Sequence, residues 1–125
     1  MKQIISTDKA PQAIGPYSQA IEADGFVFVS GQIPVDRKTG NMPETIEEQT
    51  RQSLTNIRYI LMEAGIDMNS IVKTTVLLDD LGNFAKMNEV YAGFFEVDPP
   101  ARACYEVKAL PKGAMIEIEA IAVKK

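Results

Sequence analysis

Apolar and polar positions alternate over short stretches near both ends of the chain and recur every three to four residues in its middle. Alternation with period two marks half-buried strands, and recurrence near 3.6 marks amphipathic helices. Gln3 to Ser6 predicts a first extended stretch. Pro11 and Gly15-Pro16 then force a loop, because proline restricts its own backbone and that of the residue before it. Tyr17 to Glu22 predicts a strand, and Asp24-Gly25 a tight hairpin turn, since both residues tolerate positive φ. Phe26-Val27-Phe28-Val29 predicts a buried strand that Ser30-Gly31-Gln32-Ile33-Pro34 ends, and Lys38-Thr39-Gly40-Asn41 predicts a turn. Thr45 to Glu48 fits a capping box, with each of those two side chains satisfying a backbone donor of the other. Leu54, Ile57, Leu61 and Ala64 form the apolar stripe of the helix that follows, Gly65 ends it, and Glu48, Arg51, Arg58 and Glu63 take the solvated face.

Ile71 to Leu78 is β-rich and predicts the next strand. Asn83 is placed to cap a second helix carrying Phe84, Met87, Tyr91 and Phe94 at helical spacing, and Pro99-Pro100 closes that region. Arg102 to Val107 and Met115 to Val123 predict two final strands around a Leu110-Pro111-Lys112-Gly113 turn. The order is β-β-β-α-β-α-β-β. Each helix has one apolar face, so together they cover one side of the sheet in a two-layer α/β (α+β) sandwich. In the last strand Ile116, Ile118, Ala120 and Ala122 share one face, and Glu117, Glu119, Ile121 and Val123 share the other. A face that mixes carboxylates with Ile and Val is too apolar for plain solvent, which points to an oligomer interface.

The 125 residues make one domain, 1–125. The net charge of −4 argues against a nucleic-acid binder, whose footprint is a basic face. The chain has no histidine, which removes Ser-His-Asp triads and His-ligated metals, and its single cysteine makes no internal disulfide or Cys-rich zinc site. A reducing, cytoplasmic setting follows from that cysteine usage. No apolar run reaches the ~18 residues of a membrane helix, and the N-terminal stretch lacks a signal-peptide core.

Any chemistry therefore rests on Arg, Lys, Asp, Glu, Tyr, Ser or backbone groups. Arg102 and Cys104 are two apart and share a sheet face. A guanidinium fork matches a carboxylate in bidentate fashion, which lysine does not; a plain surface arginine or an ion pair with a nearby Glu is the alternative. Glu117 stands between Ile116 and Ile118, where an apolar wall raises a carboxyl pKa and suits it to proton transfer. The alternative is a carboxylate on a wet face, and Glu119 shares that face. Cys104 lacks a histidine to activate it and reads as a small buried apolar residue. Tyr17, just after Gly15-Pro16, either leans into a cleft or is a half-buried structural tyrosine. Asp79-Asp80 reads as a turn or cap, and Phe26, Phe28, Phe84, Tyr91, Phe94 and Phe95 read as packing residues.

With these residues in place the chain resembles the RidA (YjgF) family of enamine/imine deaminases. The resemblance is carried by Ala13-Ile14-Gly15-Pro16-Tyr17-Ser18-Gln19, Ser30-Gly31-Gln32-Ile33-Pro34, Val72-Lys73-Thr74-Thr75-Val76 and Asn88-Glu89-Val90-Tyr91. Pro100-Ala101-Arg102-Ala103-Cys104 and Leu110-Pro111-Lys112 through Ala122 complete it, in order over almost the whole length. Tyr105 departs from the smaller branched residue common in relatives, on the side of the strand away from Arg102 and Cys104.

The resemblance implies a chorismate-mutase-like sandwich, a homotrimeric barrel with clefts between subunits, and hydrolysis of 2-iminobutanoate or 2-iminopropanoate to 2-oxo acids and ammonia. It implies that Arg102 anchors the substrate carboxylate and that a water sits between the Glu117 carboxylate and the Cys104 backbone carbonyl. Tyr17, Ser30, Gly31 and Asn88 then line the cleft, Tyr17 from the adjacent subunit. No metal or cofactor is implied, because a protonated imine is already electrophilic. Two other readings stand beside it: an RNA-directed endoribonuclease or translation inhibitor, disfavoured by the acidic balance, and a non-catalytic ligand-sensing trimer.

Overall fold

A computed structural model describes all 125 residues. Its elements are β1 (Gln3–Ile5), β2 (Ala20–Ala23), β3 (Phe26–Gln32), α1 (Ile46–Glu63), β4 (Ile71–Leu78), α2 (Phe84–Phe94), β5 (Ala101–Glu106) and β6 (Ile116–Val123). They form one six-stranded sheet in the order β1-β2-β3-β6-β4-β5. Neighbours are antiparallel except β4 and β5, which are parallel. The expected order and the two-layer mixed architecture are both present. β3, β4 and β5 run the same way and step in one direction across the sheet. Right-handed crossovers through α1 and α2 therefore put both helices on one face.

Local chemistry accounts for most boundaries. Asp24 (φ 54°) and Gly25 (φ 81°) make the β2–β3 hairpin turn. Thr45 Oγ1 accepts from the Glu48 N–H at 3.1 Å and starts α1. The reciprocal half of the capping box does not form, because the Glu48 carboxylate turns to Arg51 Nε at 3.4 Å instead. Gly65, at φ 82°, donates to Met62 O and ends the helix. The stripe of Leu54, Ile57, Leu61 and Ala64 is buried, as are Val76, Leu78, Ile116, Ile118, Ala120 and Ala122 from the sheet. No helix is long and apolar enough to cross a membrane.

Three expectations are corrected. β2 begins at Ala20, not Tyr17, because the buried Gln19 side chain staples the preceding loop. Its Oε1 accepts from Thr7 N–H at 2.7 Å and its Nε2 donates to Pro11 O at 2.8 Å. Asn83 lies at the start of α2 but makes no capping hydrogen bond, since the turn before it is closed by Asp80, whose Oδ1 accepts from Gly82 N–H at 2.8 Å. Phe26 and Phe28 are not core residues. Strand alternation gives the core face of β3 to Val27 and Val29 and leaves the two rings 43% and 45% exposed on the open face of the sheet. There Ile4, Ile21, Phe28 and Ile121 are register partners in turn, an apolar row across four strands.

Candidate functional site

Register sets the geometry of the site. Arg102 pairs with Thr74, which pairs with Ala120; both partners are buried on the helix face. Arg102 and Cys104 therefore face α2. Glu117 pairs with Leu77, whose neighbours Val76 and Leu78 point to the core, so Glu117 faces the open side. Within one chain the two side chains lie on opposite faces of the sheet.

On the helix face, Phe84, Asn88 and Tyr91 recur at i, i+4 and i+7 and form one stripe of α2. Arg102 lies over it. Its Nη1 donates to Asn88 Oδ1 at 2.7 Å, and its guanidinium carbon sits 4.8 Å from the Tyr91 ring centre and 5.4 Å from that of Phe84. No carboxylate lies within 4.0 Å of it. This arginine is thus held by neutral groups, with its charge uncompensated and most of its donors free. A shallow cleft of about 390 Å³ beside it is lined by Asn88, Tyr91, Phe95, Pro99 and Pro100. Sequence spacing assigns Phe84 and Tyr91 to packing alone. The structure makes them neighbours of the arginine as well, and their shared stripe with Asn88 was the available signal.

Cys104 is half-buried against the core. Burial pushes its thiol pKa up, and nearby Arg102 offsets this only in part, so the thiol stays protonated at neutral pH. Its backbone is the more useful group. β5 ends the sheet and has one free edge. Val107, just past its end, donates to Leu78 O on β4 at 2.8 Å. Backbone polar groups of successive strand residues turn alternately to either side, so Cys104, three residues earlier, turns its carbonyl to the free edge.

On the open face, Glu117 lies against Gly31, where β3 and β6 shift register between Val29 and Gln32. A Cβ on Gly31 would collide with Glu117 Oε2 and come within 2.9 Å of its Cδ. Only glycine leaves room for this carboxylate. Burial raises the Glu117 pKa, and Glu119 on the same face raises it further. Ser30 ties β3 to the preceding loop, its Oγ donating to Ser18 O at 2.6 Å. Tyr17, 53% exposed, and Gly31 line an open cleft of about 600 Å³ with Ile33, Arg37, Pro111 and Lys112. Two buried polar side chains of α1 hold this region. Asn56 Nδ2 donates to Val35 O at 3.0 Å, and Gln49 Oε1 accepts from Met115 N–H at 2.9 Å, just before Glu117.

The expected site residues therefore form two groups. Arg102, Asn88 and the Cys104 carbonyl stand at the β5 edge; Glu117, Gly31, Ser30 and Tyr17 stand on the open face and its flanking loop. The first can grip a small carboxylate, and the second carries a carboxyl suited to proton transfer.

The fold and sequence have many relatives. A family profile described as "Endoribonuclease L-PSP" matches residues 7–124. The chain is 55% identical to a RutC family protein of Pyrococcus horikoshii over 100% of both chains. It is 49% identical to a protein of Mus musculus named 2-iminobutanoate/2-iminopropanoate deaminase, over 99% of this chain and 93% of that one. Among solved structures, the YjgF gene product of E. coli superposes with a TM-score of 0.95 at 47% identity, covering 98% of this chain and 99% of that one. E. coli TdcF with bound serine gives 0.95 at 46% identity with the same coverage. A profile match over nearly the whole chain, with a backbone that superposes throughout, makes this protein a member of the RidA (YjgF) family.

Proposed function

We propose that this protein hydrolyses reactive 2-imino acids, such as 2-iminobutanoate and 2-iminopropanoate, to 2-oxo acids and ammonia, in a cleft completed between two copies of the chain. The observation that carries this reading is the uncompensated Arg102 guanidinium at a free sheet edge, a fork for a small carboxylate. The deaminase name of a 49% identical relative supports the reaction class.

Arg102 and Glu117 face opposite sides of the sheet, so one chain cannot bring both to one substrate. A cyclic assembly can, by laying the β5 edge of one copy against the open face of the next. The apolar row of Ile4, Ile21, Phe28 and Ile121 gives that assembly a surface to bury. We take the assembly to be a homotrimer, with Tyr17, Ser30, Gly31 and Glu117 from one subunit meeting Asn88, Arg102 and the Cys104 carbonyl of its neighbour.

In this cleft the substrate carboxylate docks on Arg102. A water held by the Cys104 carbonyl and the Glu117 carboxylate attacks C2 of the protonated imine. Glu117 takes a proton from that water as the C–O bond forms and the C=N π pair moves to nitrogen. Glu117 returns that proton to the nitrogen of the resulting carbinolamine. The C–N bond then breaks to release ammonia as the C=O bond forms, and the hydroxyl proton passes to the Glu117 carboxylate, leaving the 2-oxo acid. The raised Glu117 pKa makes it a stronger base than an ordinary carboxylate once ionised. Positioning plus one general base is enough, because the imine reacts with water unaided. An RNA-tracking groove needs several cations in line, whereas Arg102 is the only cation its own chain contributes to the cleft beside it and the chain's net charge is −4.

The test is a coupled assay. A threonine dehydratase generates 2-iminobutanoate, and its decay is followed with and without this protein. Faster 2-oxobutanoate formation supports the proposal, and decay at the buffer rate contradicts it.

A further inference from the structure

Resting on that reading, we propose that Tyr91, locked by its buried hydrogen bond to Thr74 and assisted by Phe84, is a positioning residue that sets the plane in which Arg102 receives the substrate carboxylate. Tyr91 has only 5% of its surface exposed, and its hydroxyl lies 2.7 Å from Thr74 Oγ1, which is fully buried on β4. Its ring also packs on Phe95, with centres 4.6 Å apart. The ring is thereby fixed to both layers of the fold.

Arg102 is the next strand partner of Thr74, so the residue that locks the ring and the residue that lies on it are register neighbours. A guanidinium has polar edges and a weakly hydrated face. Tyr91 and Phe84 bring their ring centres to 4.8 and 5.4 Å from the guanidinium carbon and so occupy the space on their side of it, and Asn88 between them takes one edge donor at 2.7 Å. The remaining edge donors are left for a ligand, which on this proposal approaches in the guanidinium plane. That is the approach a bidentate carboxylate makes. An arginine without this support would sample many rotamers, and ordering it would cost affinity on each binding event.

The ring, rather than the hydroxyl, makes the contact with Arg102. Tyr91→Leu removes the ring, and Tyr91→Phe removes only the bond to Thr74. Steady-state hydrolysis of 2-iminobutanoate and equilibrium binding of 2-oxobutanoate are measured for both. Tyr91→Leu is expected to raise KM and the 2-oxobutanoate Kd about tenfold, with kcat within about twofold. Tyr91→Phe is expected to hold KM within about threefold of wild type. In the Arg102→Lys background, Tyr91→Leu is expected to add less than about twofold, because its partner is already gone. Should Tyr91→Leu fail to fold, Phe84→Ala carries the test, since Phe84 is 38% exposed; it is expected to raise KM about threefold.

An unchanged KM in Tyr91→Leu, or in Phe84→Ala where Tyr91→Leu does not fold, beside an impaired Arg102→Lys overturns this inference alone. So does a penalty that falls on kcat, or one that adds in full to that of Arg102→Lys. Wild-type KM in Arg102→Lys removes Arg102 from the site and this inference with it, whereas imine decay at the buffer rate with the wild-type protein removes the function reading.

Discussion

The Glu117 carboxylate rests on Gly31, and the space it uses is the space a side chain at residue 31 would take. The two residues are register-shifted neighbours on β3 and β6, so glycine here serves the carboxylate rather than a turn. Gly31→Ala should displace Glu117 while leaving the sheet intact. Because general-base catalysis contributes roughly 10²–10⁴-fold, we expect imine hydrolysis to fall on the order of 10²-fold. Circular dichroism and 2-oxobutanoate binding should be little changed. Wild-type turnover in Gly31→Ala would show that the carboxylate does not need this seat.

The raised Glu117 pKa has consequences for stability as well as for rate. A carboxyl whose pKa is higher in the folded state is easier to bury protonated. Its stabilisation is fully present below the ordinary carboxylate pKa and is lost as pH rises through the folded value. Glu117→Gln mimics the protonated form at every pH. Its Tm should therefore exceed that of wild type at pH 7, and the difference should shrink as pH falls through the raised value toward the ordinary one. Hydrolysis by wild type should rise with pH through that raised value, while Glu117→Gln stays near the background rate. A Tm difference that does not change with pH would place the carboxyl in ordinary solvent.

Arg102→Lys keeps the charge and loses the fork. With one point donor in place of two parallel ones, kcat/KM for 2-iminobutanoate should fall by roughly 10–100-fold, in line with charged hydrogen bonds of about 1.5–3 kcal/mol. Asn88 also loses its guanidinium donor. The oligomeric state by sedimentation should not change. An unaltered kcat/KM would remove Arg102 from the site.

What was legible in the sequence is what local chemistry determines. Asp24-Gly25, the Thr45 cap, Gly65 and the alternation from Ile116 to Val123 all depend on residues close in the chain, and each forms as expected. The start of β2 was not legible, because Gln19 is held by Thr7 and Pro11 across a loop. The outward facing of Phe26 and Phe28 was hidden for another reason. Aromatic and β-branched residues alternate there, and composition does not say which set takes the core. The division of the site had the same origin. Arg102 and Glu117 were recognisable one at a time, but their opposite facing depends on the register of β4 against both β5 and β6. Phe84 and Tyr91 carried a helical signal that packing alone explained, until β5 placed Arg102 over them.

If one substrate meets Arg102 from one chain and Glu117 from another, two defective chains should complement each other. Arg102→Ala and Glu117→Ala chains, each inactive alone, are unfolded, mixed in equal amounts and refolded together. In a cyclic trimer every mixed assembly regains one intact cleft of three, so random mixing should restore about a quarter of wild-type turnover. Activity that stays at the sum of the two separate variants would mean that no cleft draws on both chains, and would contradict the account.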